Sequence, residues 1–185
     1  MSSEFELSCD RYTYADREKW EENFHCELID GLICVMYSPS MWHQDVVGLL
    51  ISQLRDRLKG GKCKPIVSPF DVRLFPKEDK SDDTVVQPDV IVVCDEGKLS
   101  DGVACRGAPD VVFEVLSGST KYHDNRIKKG LYQEAGVKEY WVIAKDYAIR
   151  WLWNDGREDE LRFMRINGVI NMPVETVHVC IELDV

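Results

Sequence analysis

What the chain lacks narrows its class before any motif is read. No apolar run approaches the length of a bilayer-spanning helix, and the opening MSSEFELSCD is acidic, without the basic start and apolar stretch of a secretory leader. These absences predict a cytoplasmic protein with no membrane partner. The cysteines (Cys9, Cys26, Cys34, Cys63, Cys94, Cys105 and Cys180) form an odd set without a C-x-x-C pair, so no zinc clamp or closed disulfide framework has a spacing in its favour. They read as reduced thiols that mostly pack. No internal repeat, low-complexity tract or linker interrupts the chain. Positive charge is also scarce: 23 Lys and Arg stand against 33 Asp and Glu, a net charge of −10, which argues against tight non-specific binding to a nucleic-acid backbone. Two local clusters run against that trend: Arg55, Arg57, Lys59, Lys62 and Lys64, then Lys121, Arg126, Lys128 and Lys129.

What is present suits one soluble domain spanning residues 1–185, because 44% hydrophobic and 30% charged residues are an ordinary globular balance. The pattern predicts a short helix over Tyr14 to Asn23 anchored by Trp20 and Phe24. Strands Cys26–Ile29 and Leu32–Tyr37 flank Asp30-Gly31, which supplies the positive backbone angles of a tight hairpin. Apolar residues at Val46, Val47, Leu50, Leu54 and Leu58 give a helix from His43 to Leu58, closed by Gly60-Gly61. Three β-like runs follow, Pro65–Leu74, Val85–Cys94 and Val111–Leu116. A second helix spans about His123 to Glu134, and strands are expected at Glu139–Ile143, Ala148–Trp153, Leu161–Ile166 and Val177–Ile181. The fold class is therefore α/β with α+β character: a central mixed sheet flanked by helices, with an N-terminal hairpin and extra C-terminal strands.

Two acids do not fit a purely structural reading. Glu114 lies in Asp110-Val111-Val112-Phe113-Glu114-Val115-Leu116, apolar on both faces, where alternation sends its carboxylate into a packed layer unless a cation or donor meets it. Asp89 follows Pro88, which removes a ladder donor and marks a strand distortion. On neighbouring strands the two could converge on an oxygen-lined site suited to Mg²⁺ or Mn²⁺. Asp124, Lys128 and Tyr132 share one stripe of the second helix, beside a core stripe of Ile127, Leu131 and Ala135. Lys128 can therefore reach the carboxylates or form an ordinary surface pair with Asp124. Glu27 alternates with Ile29 in the first hairpin and reads as a rim residue. His43 and Gln44 stand at a helix start, where capping, packing and substrate contact are all open. His25, His123 and His178 fall in no nucleophile or zinc pattern.

Taken in order, Glu27-Leu28-Ile29-Asp30-Gly31, Ser38-Pro39-Ser40 with His43-Gln44, Pro69-Phe70-Asp71-Val72-Arg73-Leu74, Val86-Gln87-Pro88-Asp89-Val90, Gly107-Ala108-Pro109-Asp110, Glu114-Val115-Leu116-Ser117 and Tyr132 through Gly136-Val137-Lys138-Glu139-Tyr140-Trp141 resemble one family. It is the Uma-type putative restriction endonuclease family of the PD-(D/E)XK nuclease superfamily, and the likeness covers roughly Tyr14 to Trp153. The resemblance implies a restriction-endonuclease-like core, with Asp89 and Glu114 as metal-binding acids and Glu27 as an additional acid. The superfamily's usual lysine position, two residues after the second acid, is Leu116 here. The family instead carries a lysine on the following helix, four residues before a tyrosine, which matches Lys128 and Tyr132. Gly130 interrupts that helix.

The expected activity is Mg²⁺- or Mn²⁺-dependent hydrolysis of nucleic-acid phosphodiester bonds, DNA rather than RNA, with Asp89, Glu114, Lys128 and Glu27 catalytic and His43, Gln44, Asp124 and Tyr132 around them. The competing expectation is an inactive nuclease fold that binds nucleic acid or a protein partner. A homodimer is expected from the need to cut two strands, with Trp151 and Trp153 either at its interface or packed internally.

Overall fold

The computed structural model describes residues 10–20, 24–36, 38–116 and 121–184, with the side chains of 121–126 outside the description. After a one-turn helix α1 (Tyr14–Arg17) come the hairpin strands β1 (Cys26–Ile29) and β2 (Leu32–Val35) and helix α2 (Met41–Arg57). Strands β3 (Lys64–Val67), β4 (Asp71–Arg73), β5 (Val85–Val86), β6 (Val90–Val93), β7 (Ala104–Arg106) and β8 (Val111–Val115) lead to helix α3 (Lys121–Ala135). Strands β9 (Glu139–Ile143), β10 (Tyr147–Asn154), β11 (Arg157–Met164), β12 (Ile170–Val174) and β13 (Val179–Leu183) complete the order.

Among the described residues these strands form a six-stranded sheet, β11-β10-β9-β8-β6-β3, a five-stranded sheet, β2-β1-β5-β4-β7, and the β12-β13 pair. Strands β8 and β9 run parallel, joined through α3, the kind of crossover connection that parallel neighbours require.

Alternation along the six-stranded sheet separates two cores. Val90, Val92, Val111, Phe113, Val115, Trp141 and Ile143 face α2 and the β12-β13 pair. Ile91, Val93, Val112, Tyr140 and Val142 face the other way, toward α3 and the five-stranded sheet, where Tyr132, Val72, Val86 and Cys105 meet them. A third, smaller core under α1 gathers Tyr14, Leu28, Val85 and Ala104.

Two of the predicted strands each divide between the sheets. Pro65–Leu74 breaks after Val67 at the cis Ser68–Pro69 bond, so β3 joins the six-stranded sheet and β4 the five-stranded one. Val85–Cys94 breaks at Gln87-Pro88-Asp89 in the same manner, giving β5 and β6. The prolines remove ladder donors at both crossings.

Other expectations are corrected. α1 is confined to Tyr14–Arg17, and residues 21–23 of the longer predicted helix lie outside the described residues. α2 begins at Met41, where Ser40 caps it by accepting the His43 N–H at 3.3 Å. Ile127 is exposed, and the inward face of α3 carries Leu131, Tyr132 and Ala135 instead. The cysteines are not all reduced thiols: Cys63 and Cys94 are bonded, with sulfurs 2.08 Å apart. Lys64 pairs with Val93, so the next residues outward, Cys63 and Cys94, face each other across the ladder, a juxtaposition that sequence spacing does not reveal. Cys9 lies outside the described residues. Trp151 and Trp153 stack on Tyr140 and donate their indole N–H groups to Glu160 and Glu158.

Candidate active site

Register brings the two suspected acids together. In the antiparallel β6–β8 ladder Val90 opposes Phe113 and Ile91 opposes Val112, so one further step sets Asp89 opposite Glu114. Both then share the face of Ile91 and Val112, toward α3. Asp89 also reaches across the gap, its Oδ2 accepting the Val115 N–H at 2.7 Å. His43, at the start of α2, places Nε2 3.1 Å from Asp89 Oδ1.

Glu114 is buried, and one of its oxygens, Oε1, accepts two bonds from α3: Lys128 Nζ at 2.9 Å and Tyr132 OH at 2.8 Å. A spacing of four residues puts both donors on one side of that helix. The same ammonium donates to Glu27 Oε1 at 2.8 Å, and the Gln87 backbone N–H donates to that oxygen at 2.8 Å. Glu27 is therefore not a rim residue. It is buried on β1 of the other sheet, and the site spans the gap where the chain crosses between sheets.

The electrostatics follow from three carboxylates and one ammonium in a dry setting. Burial pushes the Glu114 carboxyl up to about 7; Lys128 works against that rise, while Asp89 and Glu27 add to it. Burial disfavours the Lys128 ammonium, but Glu114 and Glu27 outweigh it and hold the group above its ordinary value. The Tyr132 hydroxyl is raised well above the usual range by burial, then by Glu114 and Glu27, and stays a donor.

Of the remaining sequence candidates, Gln44 lies on the exposed side of α2, and no described contact joins it to the carboxylates. The Asp124 side chain lies outside the described residues. Lys129, on the next face of α3, bonds Glu158 at 2.6 Å and lies over the Trp151 ring. The contribution of Gln87 went unseen in the sequence, because it acts through its backbone N–H.

The donor set suits a hard divalent cation. All its ligating atoms are oxygens, negative charge exceeds positive, and among the described residues no bond is seen to Oε2 of Glu27 or Glu114. Among the described residues no group of three or more His, Cys, Asp or Glu side chains forms a ready cage.

No curated protein matches the chain. Among solved structures, a putative nuclease belonging to DUF820 from Anabaena variabilis is similar to it, with a TM-score of 0.67, 17% identity, and 90% of this chain and 91% of that one covered. At that identity the likeness establishes the nuclease-type fold. The Uma2 family, described as putative restriction endonuclease, matches residues 13–154, most of the 185-residue sequence, and the chain belongs to that family.

Proposed function

We propose that the protein is a metal-dependent endonuclease that hydrolyses phosphodiester bonds in nucleic acid, DNA in preference to RNA. The observation that carries this reading is the pairing of Asp89 and Glu114 across β6 and β8, with Lys128 and Tyr132 both bonded to Glu114. Asp89 and Glu114 would hold Mg²⁺ or Mn²⁺, which when bound supplies an acidified water and a counter-charge for the transferring phosphoryl group. The residues around them have separable tasks. Tyr132 fixes the Glu114 carboxylate by donating to Oε1. His43 and the Val115 N–H hold Asp89. Lys128 carries a permanent positive charge into the site and can orient a water against a phosphate oxygen. Glu27 keeps that ammonium from closing on Glu114 alone.

Two measurements test the proposal. Titration of the protein with Mn²⁺ in a calorimeter should show binding that Asp89→Ala or Glu114→Ala weakens by at least about tenfold. Cleavage assays with Mn²⁺ on single-stranded, double-stranded and structured DNA and RNA should show nicking that both substitutions abolish. A wild-type protein that binds no Mn²⁺ removes the mechanism.

A second reading is favoured by the net charge of −10 and by an ammonium already shared between two carboxylates. In it the polar cluster is a self-satisfied remnant, and the protein binds nucleic acid or a partner without cutting. Asp89→Ala would then shift the melting temperature while no metal-dependent activity existed to lose. Cutting both strands of a duplex would call for a homodimer, and a monomeric mass by light scattering would remove that part of the proposal.

A further inference from the structure

The third carboxylate is held by a chain of contacts that begins outside the site. Glu27 Oε1 is located by the backbone N–H of Gln87, but Gln87 itself lies past the end of β5 and before β6, next to a proline that has no N–H to donate. At its β5 end this stretch is tied to β4 by the Gln87 side chain. It is 7% exposed, its Nε2 donates to Asp71 Oδ1 at 2.7 Å, and its Oε1 is buried without a partner among the described residues. The orientation is dictated by charge, since an ionised Asp71 only accepts hydrogen bonds, so the amide nitrogen must face it. A buried acceptor left unpaired is costly, and leucine in its place would be free of that cost.

Asp71 is in turn clamped by Arg17, whose Nε reaches Oδ2 at 2.9 Å and whose Nη2 reaches Oδ1 at 2.7 Å, the two-pronged geometry peculiar to guanidinium and carboxylate. Arg17 Nη1 also donates to the Cys26 Sγ at 3.2 Å, beside Glu27 itself. The contacts therefore close a circuit: Arg17, Asp71, Gln87, Glu27, Cys26 and back to Arg17. A half-buried ion pair and a buried amide contribute little that apolar side chains could not. Among the described residues, the contact that leads from them to the carboxylates is the Gln87 N–H bonded to Glu27, which is in turn bonded to Lys128.

We infer that Gln87 and the Arg17–Asp71 pair are positioning residues, which hold Glu27 against Lys128 so that the ammonium stays shared between Glu27 and Glu114. With Glu27 released, Lys128 settles on Glu114 alone, and the site loses a negative charge that a divalent cation would use. The inference concerns the placement of Glu27, and it rests on the proposed metal site for its second readout.

The test uses the full chain with Gln87→Leu, Arg17→Met and, as a comparison, Ile181→Ala. Ile181 is a buried β13 residue packed in the opposite core, so its loss lowers stability without touching the circuit. Crystal structures of Gln87→Leu and Arg17→Met should show Glu27 Oε1 beyond hydrogen-bond distance of Lys128 Nζ, a contact kept in Ile181→Ala. The Mn²⁺ dissociation constant should rise about tenfold or more in the first two and stay within twofold in the third. Glu27 still bonded to Lys128 in Gln87→Leu overturns the inference, as does an equal loss of Mn²⁺ affinity in Ile181→Ala. Should Arg17→Met not fold, Gln87→Leu decides alone. If the wild type binds no Mn²⁺, the nuclease proposal fails, and the Glu27 position in the crystals still judges the circuit.

Discussion

At the scale of single residues, Lys128 and Glu114 are a coupled pair whose behaviour has a sign. Burial raises the Glu114 carboxyl from 4.5 to about 7, so between those values the folded protein binds a proton that the unfolded chain has released. The stability contributed by that protonation is complete below about pH 4.5 and is lost as pH rises through about 7. In the absence of divalent cations, denaturant melts should therefore show wild-type stability falling across this window relative to Glu114→Gln. An equal slope for the two proteins would mean that Glu114 is not the titrating group. Removing the ammonium steepens that fall, because Lys128 is the group that holds the Glu114 carboxyl down against burial. Lys128→Met leaves Glu27 and Glu114 facing each other without compensation and should destabilise the protein by about 3–5 kcal/mol at neutral pH, less in acid where Glu114 takes up its proton. Chemical melts at both ends of the window would read this directly.

At the scale of elements, helix α3 carries the two donors to Glu114 and contains Gly130 on its exposed side, where an added Cβ would meet nothing within 4 Å among the described residues. Gly130→Ala should therefore stabilise the protein by about 1 kcal/mol through helix propensity alone. If rigidity of α3 limits how Lys128 is held, Mn²⁺-dependent cleavage should rise as well; a raised melting temperature with unchanged cleavage would separate stability from positioning. The elements also show what the sequence could and could not disclose. The hairpin at Asp30-Gly31, the apolar stripe of α2 and the buried strands β8 and β9 are written in local periodicity, and they were legible. The acid at Glu114 was legible too, because a carboxylate in an apolar strand breaks its own pattern. The two crossings at Ser68-Pro69 and Gln87-Pro88 were not, since periodicity describes one sheet and is silent when a run changes sheets. Hence Glu27, on β1 of the other sheet, could not be brought to the site by spacing; only the resemblance suggested it. Strands β7 and β12 were missed, and so was the Cys63–Cys94 pairing, which depends on a register between segments 31 residues apart.

At the scale of the whole molecule, the question is where a polyanion could lie on a chain with net charge −10. Of the second basic cluster, the described side chains are already paired: Lys128 is bonded to Glu27 and Glu114, and Lys129 to Glu158. The first cluster is real but distant. Arg55 and Arg57 are exposed at the end of α2 opposite His43, and fourteen helical residues of rise separate His43 from Arg57 by about 21 Å. Lys64, beyond them, is paired with Glu96 at 2.9 Å. The described basic side chains of α3 are thus occupied, and the donor set favours bound cations as the charge that neutralises a nucleic-acid backbone near the carboxylates. Two outcomes follow for a DNA-binding assay on the wild-type protein with Ca²⁺, a hard cation that both carboxylates can hold and that supports nuclease chemistry poorly. Binding should strengthen when millimolar Ca²⁺ is added, against the usual weakening of protein–DNA contacts by salt. The charge reversal Arg55→Glu with Arg57→Glu should leave both binding and wild-type cleavage within about threefold, because so few phosphates near the site could touch that end of α2. A tenfold loss on that reversal would instead run the nucleic acid along the length of α2, and would make the basic end of the helix part of the substrate track.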